Sequence, residues 1–392
     1  MTKLKCLGVL RVSLTSVLAL AISAAPAVAM SDPPILDHLT SISVVASTIP
    51  GNGDVNPYGM AVVQRSVGNL RAGHILVSNF NNSANQQGTG TTIMDMAPDG
   101  SSVNVFAQID PDTLPGACPG GVGLTTALSV LSSGWVIVGS LPTSSGMSST
   151  AQAGCLIVLD SHGNVAETIA GGPINGPWDM TALDLGEFAA LFVTNVLNGT
   201  VAAGGDTVNE GTVVRIDLVI PQNKKPLVLS ETVIGSGFAE HTDPNALVIG
   251  PTGVGLSPPC SFLDLRDCPK GASFPGEIVL YVADTVNNRI AEIPNPLFRN
   301  GSAGTGITLT SGGTLNGPLG LTVAPNGHIL TVNGDDGFAT ETTPGGVQVA
   351  SELLDNTGGP PPGNGALFGL VFDGKNKLFF VDDASNTLNL LQ

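Results

Sequence analysis

A closed ring of six four-stranded antiparallel β-sheets, a β-propeller, is the fold this sequence predicts, and three observations predict it. The first is a pattern that returns six times: a short apolar strand that stops on Asn, Asp or Ser. The copies are HILVSNFNNS (74–83), WVIVGSLPTS (135–144), ALFVTNVLNGTV (190–201), LYVADTVNNRIAEI (280–293), HILTVNGDDG (328–337) and LFFVDDASNTLNLL (378–391). The second is that each copy has a small or glycine-containing partner strand upstream and further strands downstream, so one unit amounts to four strands. The third is composition. With 51 glycines, 28 prolines and 11% charged residues in 392, the chain reads as many short strands and tight turns.

The elements follow in chain order. Residues 1–29 read as a signal peptide: Lys3, Lys5 and Arg11 give a basic start, Val12 to Ala25 is apolar, and Ala27-Val28-Ala29 is a small-x-small cleavage pattern. The apolar stretch is short for a spanning helix, which needs roughly 20 residues, and no later segment is long and apolar enough to span. A soluble product, secreted or periplasmic, is expected. Residues 30–392 then form a single propeller. The upstream partners are PYGMAVV (57–63), GLTTALSVL (123–131), GPWDMTALD (176–184), PTGVGLS (251–257), GPLGLTVAPNG (317–327) and ALFGLVFDGK (366–375). Third strands are expected at TTIMDMAPDG, CLIVLDSHG, TVVRIDLVI, RIAEIPNP, GVQVASELL and TLNLLQ, with weaker fourth strands such as ETIAGG, ETVIGSG and ITLTSGG.

Spacing between the strand-end polar residues is even except for one long gap in the fourth unit. That gap is read as an insertion over about 256–276, between that unit's first and second strands. The last unit runs out after three strands, and ISVVASTIPGNG (42–53) supplies the fourth. Both ends of the chain thus share one blade and close the ring, which removes an open seam.

The formal net charge of −17 repels polyanions, which sets aside nucleic acid and anionic membrane surfaces as partners. Beyond the signal peptide there are four cysteines. An even count in an exported chain favours disulfides. Cys260 and Cys268 bracket a short loop and are expected to pair locally, which leaves Cys118 with Cys155.

In a propeller the first strand of each blade lines the central channel, and the turns after second strands open on one face. Asn79, Ser140, Asn195, Asp284, Asn333 and Asp382 are therefore expected to ring the channel mouth, together with Trp178. As a set, their oxygens suit a hard cation, with Asp284, Asp382 and Asn195 as candidate metal ligands; each alone also suits an Asx turn that shapes its own loop. Asp179, beside Trp178 in GPWDM, and His241, in AEHTDP, are the candidate proton carriers. Motifs for a serine nucleophile elbow, a phosphate loop and a zinc helix are absent.

PLGLTVAPNGHILTVNG and LYVADTVNNRIAEI resemble the NHL repeat, with Asn288, Arg289 and Ile290 matching its second half closely. The resemblance implies a six-bladed propeller of the superfamily that also holds gluconolactonases and streptogramin lyases. Its metal-dependent lactonases imply a divalent cation, calcium or similar, at the channel mouth, to which Asp284, Asp382, Asp179 and Asn195 could supply oxygens. The propeller lyases rely on channel histidines, and this chain has one candidate. Two functions remain open: an exported scaffold that binds a protein or a small polar molecule, or a metal-assisted hydrolase or lyase of a small lactone-like ring.

Overall fold

The structure is a computed structural model that describes residues 33–222, 224–258, 277–374 and 377–392. The signal peptide, Cys260, Cys268 and most of the 256–276 insertion lie outside the described residues.

After a first strand β1 (Ile42–Ser47), the chain builds six sheets in sequence. Blade 1 holds β2 (Val55–Val62), β3 (Ile75–Asn81), β4 (Thr92–Met96) and β5 (Val103–Gln108). Blade 2 holds β6 (Leu124–Val130), β7 (Val136–Ser140), β8 (Cys155–Leu159) and β9 (Val165–Ile169). Blade 3 holds β10 (Pro177–Asp184), β11 (Phe188–Asn195), β12 (Val208–Val219), β13 (Leu227–Asp243) and a fifth strand, β14 (Leu247–Ile249). Blade 4 holds β15 (Pro251–Leu256), β16 (Val279–Asp284), β17 (Arg289–Pro294) and β18 (Ile307–Ser311). Blade 5 holds β19 (Pro318–Val323), β20 (Ile329–Asn333), β21 (Phe338–Thr342) and β22 (Gln348–Leu353). Blade 6 holds β23 (Leu367–Phe372), β24 (Leu378–Asp382) and β25 (Thr387–Leu391), and β1 pairs antiparallel with β25 to complete it. The expected ring closure is therefore present. Two expectations are corrected. Blade 3 has five strands, and GVQVASELL is the fourth strand of blade 5, because FATET (338–342) takes the third place.

The apolar runs of the second strands follow from burial on both faces. Successive side chains of a strand point to opposite faces, so each second strand feeds two blade interfaces. Ile75 and Val77 of β3 pack toward blade 6, while Leu76 packs toward blade 2. Phe192 of β11 packs toward blade 4, and Leu191 and Val193 pack toward blade 2. The same division recurs in β24, where Phe379 and Val381 face blade 1 and Leu378 and Phe380 face blade 5. Each such side chain contributes roughly 1.5–3 kcal/mol on burial, and no sheet can bury both faces without two neighbours.

One irregularity repeats around the ring. In every blade the first strand slips register against the second near its start, as between Pro57 and Gly59, Pro177 and Met180, or Pro318 and Leu321. In five blades the first residue of this strand, before the slip, pairs with the polar residue that ends the second strand, and in blade 1 the matching pair, Pro57 and Asn79, lies just inside both strands. Pro57 faces Asn79, Leu124 faces Ser140 and Pro177 faces Asn195. Pro251 faces Asp284, Pro318 faces Asn333 and Leu367 faces Asp382. Proline suits a first strand position because it lacks the N–H that a ladder would need.

The expected Cys118–Cys155 disulfide is formed, across 37 residues of sequence. It ties the connection that leads into β6 to the start of β8. A Cys118→Ala/Cys155→Ala variant is expected to lose about 3–4 kcal/mol, the loop-closure value for this span. Urea unfolding checks this, and reductant should move the wild type to the same midpoint.

Candidate functional site

The strand-end residues do not form an open polar rim. Asn79, Ser140, Asn195, Asp284 and Asn333 are fully buried, and Asp382 nearly so. The neutral four tie down the chain that enters their own blade. Asn79 Nδ2 donates to Thr48 O at 3.0 Å, and Asn333 Nδ2 donates to Thr314 O at 2.9 Å. Ser140 Oγ accepts from Gly123 N and donates to Gly121 O, while Asn195 Oδ1 accepts from Asn175 N. The two acids shape their own turns. Asp284 pairs with Arg289 Nε at 2.7 Å and accepts from Asn287 Nδ2 with both oxygens; Asp382 Oδ1 accepts from Ser385 N. Asp284 thus has both oxygens engaged inside its blade, Asn195 Oδ1 and Asp382 Oδ1 are each held by a local backbone N–H, and the three do not fit the implied cation. Among the described residues, no group of three or more His, Cys, Asp or Glu side chains is placed to hold a metal ion.

The channel end where the first strands begin is filled with apolar side chains. Tyr58 stacks on Phe80 at 4.5 Å and on Phe368 at 3.8 Å between ring centroids. Trp178 and Leu319 join the same cluster, and so do Leu247 and Val248 of β14. The hairpin of β13 and β14 is what brings the last two there. Asp243 Oδ1 accepts from Asn245 N and Ala246 N to turn the chain, Trp178 Nε1 donates to Val248 O at 3.2 Å, and Gln87 of blade 1 donates to Pro244 O at 2.7 Å. Leu247 has φ +63°, a left-handed conformation that costs a non-glycine residue of order 1–3 kcal/mol. Only about 10 Å³ stays empty between Tyr58, Phe80, Trp178 and Leu247.

Among the described residues the opposite end is open. A cavity of about 470 Å³ is lined by the later residues of all six first strands, from Met60 to Gln64 in blade 1 through Gly369 to Val371 in blade 6. Its lining mixes aliphatic residues, Met180, Leu321 and Leu370 among them, with polar ones such as Thr126, Ser129 and Thr181, and its exposed surface is about as polar as it is apolar. Two carboxylates line it. Asp184 belongs to the rim turn, where it accepts from the backbone N–H groups of Ser132 and Gly186. Asp179 lies at the inner end, next to the Trp178 plug residue.

Asp179 stands where four other blades place glycine. Gly59, Gly253, Gly320 and Gly369 follow the plug-side residue of their strands, and a Cβ on any of them would meet the next blade's backbone within 2.9 Å. Blade 3 carries a side chain at that point, and its carboxylate Oδ2 accepts from Val254 N of blade 4 at 2.9 Å. Burial pushes the Asp179 pKa up to about 7, against the pull of the Met180 and Val254 N–H groups. His241 is placed elsewhere: it is half-buried in β13, its Nδ1 lies 3.0 Å from Thr242 O, and it does not line the cavity. The two candidate proton carriers are therefore not brought together in one site.

Sequence reasoning placed Asp179 on a channel-lining strand but missed the rest of the cavity wall, including Ser129, Thr181 and Thr322. A signal for Asp179 was present: Pro-Trp-Asp where three other units read Pro-x-Gly.

No protein-family pattern matches the chain, and no curated protein matches it by sequence. Solved structures do resemble it. A luciferin-regenerating enzyme aligns with a TM-score of 0.53 at 11% identity, over 89% of this chain and 94% of that one. A gluconolactonase from Xanthomonas campestris aligns with a TM-score of 0.50 at 13% identity, over 89% and 88%. A calcium-binding regucalcin from Agrobacterium tumefaciens aligns with a TM-score of 0.47 at 13% identity, over 89% and 93%. At such identities a likeness speaks of fold alone, and the chain is a six-bladed β-propeller similar in structure to these proteins.

Proposed function

We propose that this chain is a ligand-binding propeller that takes a small molecule with both apolar and polar surface into the cavity on the face of the first-to-second strand turns. One observation carries the reading: among the described residues the channel is plugged at the end where the first strands begin and open, with about 470 Å³ of space, at the other. That volume is within the usual range for small-molecule sites, which are mostly apolar with few polar groups. The protein works in an oxidising compartment after removal of residues 1–29, which the Cys118–Cys155 disulfide supports.

Titration with a neutral naphthylamine fluorophore tests it. One saturable site per chain is expected. Thr181 and Thr322 are half-buried on the cavity wall, so Thr181→Trp and Thr322→Trp should each weaken binding at least tenfold without moving the thermal midpoint by more than a few degrees. Leu247→Ala, at the plug, should leave binding unchanged. Probe affinity that ignores both tryptophans but falls with Leu247→Ala would place the site at the wrong end.

A further inference from the structure

Resting on that reading of the cavity, we infer that its ligand carries a protonated amine on an aliphatic body, and that the ammonium group is received by Asp179. The inference begins with what surrounds the carboxylate. Among the described residues that line the cavity there is no Lys, Arg or His, and the other carboxylate, Asp184, is held in its rim turn by Ser132 N and Gly186 N. Asp179 therefore has two backbone N–H partners, Met180 and Val254, and, among the described residues, no cation. A carboxylate offers about four acceptor sites, so part of its capacity is left over. A buried carboxylate without a counter-charge is costly and favours whatever pairs with it.

The position strengthens the case. Glycine occupies the equivalent place in four blades because the neighbouring backbone comes close. In blade 3 that place carries a carboxylate side chain instead, at the inner end of a cavity of mixed polar and apolar surface. The walls around it combine aliphatic residues, Val62, Val130 and Val371 among them, with Thr126, Ser129 and Thr181. An occupant matching both features has a hydrocarbon body against the walls and a donor-rich, positive head at the inner end. An ammonium supplies three donors and the charge.

Three eight-carbon probes separate the possibilities: octylammonium, octanol and octanoate, titrated calorimetrically into the full-length folded protein. Octylammonium is expected to bind at least tenfold more tightly than octanol at pH 8, and octanoate more weakly than either. Asp179→Asn keeps an oxygen for Val254 N and removes the charge. It should bring octylammonium to within about twofold of octanol while the octanol affinity holds. Between pH 5 and pH 8 the wild-type preference should grow, because burial raises the Asp179 pKa into that range while the amine stays protonated. Octanol that binds and is sensitive to Thr181→Trp, with octylammonium no tighter, overturns the ammonium assignment and leaves the cavity reading intact. A preference that survives Asp179→Asn overturns it as well. Failure of all three probes and of the naphthylamine fluorophore removes the cavity reading, and this inference with it.

Discussion

Glu341→Ala is expected to lower the unfolding free energy by about 3–5 kcal/mol, the range for breaking a buried polar pair and stranding its donors. Glu341 is fully buried on β21. Its Oε1 lies 2.6 Å from His328 Nδ1 and accepts from Ile35 N at 2.9 Å; its Oε2 accepts from Leu36 N, also at 2.9 Å. One carboxylate thus fixes the short 3-10 turn Leu36–His38 that delivers the chain to β1. Burial pushes its pKa up, but His328 and the two N–H donors outweigh that and leave it below the usual value. A carboxyl depressed in the folded state stabilises at pH values above its unfolded pKa, near 4.3, and that contribution fades as pH falls through the folded value. Urea midpoints for wild type and Glu341→Gln should therefore differ at pH 7 and converge below about pH 4. A gap that persists into acid would mean that shape, not charge, sets the contribution.

Asp284→Ala should cost a similar amount, about 3–5 kcal/mol. Asp284 is fully buried, and the side chain of Arg289 is 12% exposed. Removing the acid leaves the guanidinium with only Thr305 O and Thr308 Oγ1. Denaturant unfolding at unchanged slope measures the loss. A chelator should leave the wild-type midpoint where it is, because here the carboxylate is satisfied by Arg289 and Asn287. A chelator that reproduced the Asp284→Ala loss would restore the cation that the family resemblance implied.

The ring was legible because its signal is redundant. Six second strands, apolar on both faces and stopped by a polar residue, can be found even when one or two are weak. The third strand of blade 5 was harder to find. Thr340, Glu341 and Thr342 are all fully buried, yet FATET looks like a loop, since the partners of its buried acid are His328, beside the neighbouring strand, and the N-terminal segment, 306 residues away at Ile35. The more apolar GVQVASELL drew the assignment, although most of its residues are exposed or half-buried on the outer β22. The site failed for a different reason. A strand-end Asn or Asp announces a turn, but nothing local says whether its oxygens face the axis or the chain beside it. The plug depends on Leu247 and Val248 reaching Trp178 from a connection whose length carried no pattern. Asp179 was legible as an anomaly in a repeat, and its position in the repeat mattered more than its charge.

The shared sixth blade also sets the order in which this molecule can be assembled. Within their sheets, strands β2 to β25 pair with strands a few tens of residues away, but Thr48 bonds to Asn386, 338 residues distant. Chain-closure entropy for such a span is about 5 kcal/mol, and pairings this remote slow folding. Until they form, Ile75 and Val77 on one side and Phe379 and Val381 on the other have no mutual cover. A crowded refolding mixture would find its weak point there, with one molecule's uncovered flank accepting another's in place of its own.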